Sequence, residues 1–204
     1  MIRLAMAVIC VVMVGTLGAC GVGDGAGTPV IPQLTNNSFE TGDFTGWVTK
    51  DLTRPLTPLS VTTGSAATEG MYGVRNGFDG DGGVGMDNQH IYVAQDIDLT
   101  GIFLVAVRFD WHVPSCDVFG MEARQFSVVL EPAGGGTPIA TFPIHTCPIG
   151  AITPGGPVAG EEINISAYAN QPLRIKFQWY VPEDFTGPAL AYLDNVSLFR
   201  PATP

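Results

Sequence analysis

The chain has 204 residues, of which 46% are hydrophobic and 14% charged, so it holds enough apolar side chains to bury a core, which argues against a disordered protein. Its formal net charge is −10, from 9 Lys and Arg against 19 Asp and Glu, and this balance argues against a nucleic-acid binder, which needs a basic face for phosphate. The length suits one all-β domain, and the 26 Gly and 16 Pro follow no fixed period, which predicts many turns and no repeat array.

The first 19 residues have the pattern of a signal peptide. Arg3 is followed by an apolar run over residues 4–14 that is too short to span a bilayer as a helix. The segment ends in Leu-Gly-Ala-Cys at 17–20, which resembles the bacterial lipobox. This resemblance implies cleavage before Cys20, attachment of lipid to its thiol and, because Gly21 follows, an outer-membrane location. Ordinary secretion, with an incidental Cys20, is the alternative.

A flexible tether is predicted after the lipidated cysteine, over residues 20–33. From Gly21 to Pro32 the sequence is rich in Gly and Pro and has no apolar period. The folded domain is predicted to follow over residues 34–200. No later stretch is long and apolar enough to form a transmembrane helix.

The remaining chain is predicted to form short strands separated by turns. Alternation of apolar and polar residues is clearest at 103–111 and 173–179, and it puts Leu173, Ile175 and Phe177 on one face. Further strands are predicted at 91–97, 126–130, 138–142 and 189–199. Alternation with one apolar face is typical of antiparallel strands that cover a core, so we expect an all-β, two-sheet antiparallel sandwich of the jelly-roll type.

Two cysteines, Cys116 and Cys147, remain in the predicted domain. In an exported protein they favour a disulfide, which would stabilise the fold by roughly 3–4 kcal/mol. The alternative is a zinc site, because His112 and His145 lie close to the two cysteines in the sequence.

The two ends of the predicted domain carry a family resemblance. Residues 36–47 read NNSFETGDFTGW, and residues 191–198 read AYLDNVSL. This pair of segments resembles the galactose-binding-like jelly-roll superfamily, in particular carbohydrate-binding modules of the family 4/9 type. The resemblance implies that the first and last strands lie together.

A structural calcium ion follows from the same resemblance. It would be held by Glu40 and Asp194, with carbonyl oxygens near Asn36 and Ser38. Repulsion between two adjacent carboxylates favours a cation, and calcium accepts this donor set. The alternative is that these residues only join the strand ends by hydrogen bonds. Asn37 stands where the family often has Gly.

Sugar binding needs an aromatic surface and a few fixed polar groups, because a pyranose has one apolar face and a rim of hydroxyl groups. The candidates are the aromatic residues Tyr72, Tyr92, Trp111, Trp179 and Tyr180 and the polar residues Arg75, Gln95, Asp110, His112 and Gln178.

Strand parity narrows this set to five predicted ligand-binding residues. Trp111 and Trp179 fall in step with the apolar, inward-facing residues of their strands, so they lie either in the core or on a sugar platform. Tyr180, Asp110 and His112 have the opposite parity and would face outward together if their strands belong to one sheet.

No catalytic residues are predicted. The sequence has neither a flanked nucleophilic serine nor a His-Glu-x-x-His zinc motif. A glycosidase pair of Asp110 with Glu183 or Asp184 is the enzymatic alternative. We therefore expect a non-catalytic cell-surface module that binds a polysaccharide or glycan, or alternatively a structural or adhesion lipoprotein that binds an envelope protein.

Overall fold

The computed structural model describes residues 29–52, 55, 57–77, 89–116, 122–150, 153–181 and 189–202. The predicted signal peptide and Cys20 lie outside these ranges. The strands are β1 Val48–Lys50, β2 Ser60–Thr63, β3 Tyr72–Asn76, β4 Gln89–Asp98, β5 Ala106–Cys116, β6 Arg124–Pro132, β7 Ala140–Cys147, β8 Gly155–Asn164, β9 Pro172–Val181 and β10 Ala189–Phe199. A short 3-10 turn spans Ser166–Tyr168. Within the described ranges, no helix has the length and apolar character needed to cross a membrane.

The strands form two five-stranded sheets that pack face to face. We name the sheet with strand order β1-β4-β9-β6-β7 the front sheet and the sheet with order β2-β3-β10-β5-β8 the back sheet. All strand pairs are antiparallel. The predicted two-sheet antiparallel β-sandwich is therefore confirmed.

The core lies between the sheets and is built by the alternation seen in the sequence. Leu173, Ile175 and Phe177 of β9 are at most 1% exposed, as the pattern predicts. Phe126 of β6 stacks on Trp179 with ring centroids 3.9 Å apart. Each large apolar side chain buried in this way contributes about 1.5–3 kcal/mol.

The segment before β1 closes one side of the core and lies against the last strand. Phe39 is fully buried, and its ring centroid is 5.1 Å from that of Trp47. The Trp47 indole N–H donates to the carbonyl of Asn36 at 3.0 Å, while Val196 N–H of β10 donates to the carbonyl of Asn37 at 2.9 Å. The segment before β1 thus lies against β10. The first strand itself pairs with β4 in the other sheet, so the implied contact with the last strand is made by this segment and not by β1.

A disulfide joins Cys116, the last residue of β5, to Cys147, the last residue of β7. It therefore links the back sheet to the front sheet, and the predicted disulfide is confirmed. The zinc alternative is wrong because both thiols are consumed by this bond. His145 Nε2 instead lies 3.0 Å from the carbonyl oxygen of Thr153, and His112 lies on the outer face of the back sheet.

Candidate functional site

The outer face of the front sheet consists of the side chains that point away from the core. We call this surface the front face, and its central residues are His90, Tyr92, Ala94 and Asp96 of β4, Arg174, Lys176, Gln178 and Tyr180 of β9, and Gln125, Ser127, Val129 and Glu131 of β6. These residues form cross-strand rows, because antiparallel partners point to the same side of a sheet. Tyr180 lies between His90 and Gln125, and Gln178 lies between Tyr92 and Ser127.

Small side chains occupy the middle of the front face. Ala94, Ser127 and Val129 point away from the core, yet they are 0%, 2% and 1% exposed. Small side chains with so little exposure on an outer face must be enclosed by larger neighbours. We call the strip of the front face over these three residues the furrow, because small side chains lie there between larger ones.

Two tyrosine rings lie beside the furrow. Tyr92 is a diagonal neighbour of Tyr180, which places their backbones about 7–8 Å apart. The Tyr180 ring packs on His90 with centroids 5.2 Å apart, and its hydroxyl donates to Glu122 at 2.9 Å. The ammonium of Lys176 lies 5.1 Å from the Tyr92 ring centroid. Both rings are half-buried and are held by their neighbours, so little side-chain freedom remains to be lost on binding.

The charged groups of the front face are paired with each other. Lys176 forms an ion pair with Glu131, and the two residues are 8% and 6% exposed. Arg174 donates to Asp96 at 2.7 Å; this bond lowers the pKa of Asp96 and raises that of Arg174. The furrow therefore presents cations whose charge is already compensated.

His90 supplies a neutral polar group at the border of the furrow. Burial lowers the pKa of His90, and the nearby charges of Lys176 and Lys50 lower it further. The ring is therefore uncharged at neutral pH. Its Nδ1 atom is buried and has no hydrogen-bond partner among the described residues. An uncharged imidazole of this kind can exchange a hydrogen bond with a ligand hydroxyl.

The back sheet holds Asp110 and His112 on its own outer face. They line a hollow together with Tyr192 and Asp194 of β10 and Thr68 of the β2–β3 connection. The rings of His112 and Tyr192 are 6.0 Å apart.

Asp110 itself serves the fold. One of its oxygens accepts from Gly160 N–H at 2.6 Å, and the other accepts from the Thr68 hydroxyl at 2.6 Å and from the Asn195 amide at 3.3 Å. The carboxylate is 4% exposed, so it offers a ligand little surface.

The five predicted ligand residues do not form one site. Tyr180 lies on β9 of the front sheet, whereas Asp110 and His112 lie on β5 of the back sheet, so they occupy opposite outer faces. Trp111 and Trp179 lie in the core and are 7% and 6% exposed, which corrects their assignment to a sugar platform. The alternation along a strand correctly predicts which residues face the core and which face outward, but it does not predict which strands belong to the same sheet.

Sequence reasoning also missed part of the front face. His90, Gln125 and the Lys176–Glu131 pair were not among the candidates. The inward parity of Ile91 places His90 outward beside Tyr92, so the β4 pattern held the signal for this residue.

The predicted calcium residues converge on one connection. Glu40 accepts hydrogen bonds from the backbone N–H groups of Met71 and Tyr72 at 2.9–3.0 Å. Asp194 accepts from the backbone N–H groups of Thr68 and Glu69 at 2.7 and 2.9 Å. Burial raises the pKa of Asp194, and these hydrogen bonds partly oppose the rise.

Asn36 lies in the turn before Glu40, and both of its oxygens already accept hydrogen bonds. Its carbonyl accepts from Phe39 N–H and the Trp47 indole, and its side-chain oxygen accepts from Thr41 N–H. Ser38 lies in the same turn.

The fit of these residues to calcium can be judged from their donors and charges. Among the described residues, Glu40 Oε2 accepts one N–H bond, from Met71, and Asp194 Oδ1 accepts one, from Asn195, which leaves each oxygen a lone pair for a cation. The ion pairs among the described residues do not include Glu40, Asp110 or Asp194. Nor do the described residues contain a group of three or more His, Cys, Asp or Glu arranged to hold a metal, although calcium also takes carbonyl oxygens. Calcium at this place stays a prediction.

Comparisons with known proteins show the fold. No family model and no curated protein matches the chain. Among solved structures, the family 61 carbohydrate-binding module TmCBM61 in complex with β-1,4-galactotriose matches with 17% identity and a TM-score of 0.52, over 82% of this chain and 97% of that one. A family 28 module specific for non-crystalline cellulose matches with 15% identity and a TM-score of 0.51, over 81% and 94% of the two chains. The K3 cleaved adhesin domain of Lys-gingipain from Porphyromonas gingivalis W83 matches with 15% identity and a TM-score of 0.51, over 82% and 99%.

Proposed function

We propose that this protein is a non-catalytic carbohydrate-binding module and that its front face is the ligand site. The observation that carries the proposal is the pair of tyrosine rings on the front face, Tyr92 and Tyr180, with Gln125, Gln178 and His90 beside them. Tyrosine rings can cover the apolar face of a pyranose, while amide and imidazole groups can bind its hydroxyl groups. The similarity in fold to TmCBM61 and to the cellulose-specific module supports the same function.

The charge pattern favours a neutral glycan. Lys176 and Arg174 are paired with Glu131 and Asp96, so a uronate or sulfate group would have to compete with an existing partner. A neutral sugar needs no such exchange. We therefore propose a neutral polysaccharide as the ligand, and we expect acidic glycans to bind more weakly.

Catalysis is not part of the proposal. Asp110, the carboxylate of the enzymatic alternative, is buried and bonded to Gly160, Thr68 and Asn195. Its suggested partners Glu183 and Asp184 lie outside the described residues. The modules of similar fold are named for binding carbohydrate.

The cellular setting follows from the first segment. We propose that Cys20 carries lipid and anchors the domain to the cell envelope, in the outer membrane. The lipobox pattern at 17–20 supports this assignment. A calcium ion at Glu40 and Asp194 is proposed as a structural component, since the described residues supply no ion pair to either carboxylate.

An adhesion lipoprotein that binds an envelope protein is the second candidate. It is favoured by the similarity to the adhesin domain, whose TM-score equals that of the cellulose-specific module. Fold alone does not separate the two functions, because one fold hosts many.

A binding screen separates these candidates. The purified full chain would be tested on insoluble polysaccharides and on a glycan array, with calcium and with a chelator. Saturable binding to a neutral glycan that a soluble oligosaccharide of the same sugar displaces would support the proposal. Absence of binding by a folded, calcium-loaded chain would overturn it for the glycans tested and favour the protein partner.

A further inference from the structure

Two consecutive hydrophobic residues are exposed on the connection between β4 and β5. Phe103 is 66% exposed and Leu104 is 40% exposed, whereas the flanking Ile102 and Val105 are 4% and 0% exposed. Single exposed hydrophobic residues are ordinary on protein surfaces, but adjacent ones on a loop tip form a small apolar patch.

This loop is held in place from both sides. Gly101 N–H donates to the Asn170 side chain at 2.9 Å, and Asn170 N–H donates to the carbonyl of Ile102 at 2.8 Å. Val105 N–H donates to the Ser166 hydroxyl at 3.0 Å. The backbone that presents Phe103 is therefore already ordered, so little loop entropy remains to be lost when its side chain is buried against a partner.

The exposed pair lies where the chain enters the domain. A hollow lies between Pro29, Gly101, Phe103, Leu104 and Arg200. The guanidinium of Arg200 donates to the carbonyl of Pro29 at 2.9 Å, and Val30 next to it is 89% exposed. We call Val30, Phe103, Leu104 and Arg200 the stem patch. It combines apolar side chains with an exposed cation on a chain whose net charge is −10.

The position of Cys20 suggests what covers this surface. Pro29 follows Cys20 by nine residues, and nine residues reach at most about 30 Å, since an extended chain spans about 3.3–3.6 Å per residue. Lipid on Cys20 would therefore keep the stem patch close to the bilayer. A short tether of this kind gives an effective concentration of about millimolar, so even a weak contact is occupied.

We propose that the stem patch rests on the phospholipid surface to which Cys20 is anchored. Phe103 and Leu104 enter the boundary between headgroups and acyl chains, and Arg200 binds a lipid phosphate. This inference rests on the proposed lipid attachment at Cys20. It goes beyond anchoring because it fixes the orientation of the domain. The patch lies at one end of the strands, so both sheets stand upright on the membrane and the front face stays open to a glycan from the side.

Tryptophan fluorescence can test this contact in the lipidated full chain. Phe103→Trp places a probe in the stem patch. Ile149→Trp is the matched control, because Ile149 is 53% exposed and follows β7 at the opposite end of the sandwich. Each variant would be reconstituted in phosphatidylethanolamine and phosphatidylglycerol vesicles whose acyl chains carry bromine as a quencher. Trp47, Trp111 and Trp179 are buried, so the wild-type chain supplies the baseline.

We expect at least threefold stronger quenching of the probe at 103 than of the probe at 149, since a residue in this boundary lies about 5–10 Å into the membrane. Arg200→Gln, combined with the probe at 103, should reduce the quenching. Equal quenching at the two positions, or none at either, in a chain shown by mass spectrometry to carry lipid on Cys20 would overturn the membrane contact alone. A chain without lipid on Cys20 would overturn the anchor together with the contact. Neither result would bear on glycan binding by the front face, which the binding screen measures separately.

Discussion

Glu40 and Asp194 hold the two ends of one five-residue segment. Asp194 accepts the backbone N–H groups of Thr68 and Glu69, and Glu40 accepts those of Met71 and Tyr72. Gly70 lies between the two pairs with φ of +68°. This turn thus joins the segment before β1 to β10 through the backbone of the β2–β3 connection.

Replacing Gly70 should break this arrangement. A Cβ atom at position 70 would lie 2.4 Å from the carboxylate carbon of Glu40, and the positive φ is unfavourable for alanine. We expect Gly70→Ala to lower the free energy of unfolding by about 2–4 kcal/mol, from the loss of hydrogen bonds to a charged group and from backbone strain. Urea denaturation followed by circular dichroism measures this loss.

Gly64→Ala is the control for backbone strain. Gly64 has φ of +82°, but a Cβ there would meet no atom within 4 Å. It should cost only about 1 kcal/mol. Equal losses for the two variants would show that the clash with Glu40 contributes nothing.

Calcium should stabilise the same region. The buried Asp194 lies opposite Asp110 in the β5–β10 pairing, and the described residues give neither carboxylate a Lys or Arg partner. A divalent cation bound by Glu40 and Asp194 would bind the folded chain and not the unfolded one, so we expect calcium to raise Tm and a chelator to lower it. Glu40→Gln should remove most of the dependence. A wild-type Tm that is identical in calcium and in chelator would show that Glu40 and Asp194 do not hold a calcium ion.

The disulfide should contribute a large part of the stability. Cys116 and Cys147 are 31 residues apart in sequence. A closed loop of this size predicts a loss of about 3–4 kcal/mol when both residues are changed to Ser. Urea denaturation of the double variant measures the loss, and reductant should shift the wild-type midpoint but not that of the variant. A double variant as stable as the wild type would contradict the prediction.

Local patterns in the sequence predicted most of the fold and little of the site. The alternation in β5 and β9 placed Phe109 and Phe177 in the core, and the cysteine count predicted the bond between the sheets. The pairing of strands depends on contacts that are distant in sequence, so parity could not reveal that Tyr180 and His112 lie on different sheets. Gln95, a candidate for sugar binding, is another example. Its side chain is buried and bonds both the N–H and the carbonyl of Thr35, a contact between residues distant in sequence that local patterns do not reveal.

Matched substitutions of tyrosine can show which outer face of the sandwich binds the glycan. Tyr92→Ala and Tyr180→Ala remove the rings that border the furrow of the front face. Each should weaken glycan binding about tenfold, which corresponds to about 1.4 kcal/mol. Tyr192→Ala removes a half-buried ring from the outer face of the back sheet and should leave the affinity unchanged. Isothermal titration calorimetry measures all three. A loss confined to Tyr192→Ala would move the ligand site to the hollow beside Asp110 and His112.

His90 should make stability depend on pH. Its folded pKa lies below the ordinary value of 6.5, first because of burial and then because of Lys176 and Lys50. Below pH 6.5 the unfolded chain therefore binds more protons at this residue than the folded state does. The contribution of the neutral His90 to the free energy of unfolding is fully present above pH 6.5, and it is lost as the pH falls through the folded pKa. We expect the wild type to lose more unfolding free energy than His90→Gln when the pH falls from neutral to acid through this range. Glycan affinity should fall over the same range, since an imidazolium beside Lys176 would need to be desolvated by the ligand. Equal slopes for the wild type and the variant in urea denaturation would show that His90 does not titrate differently in the folded and unfolded states.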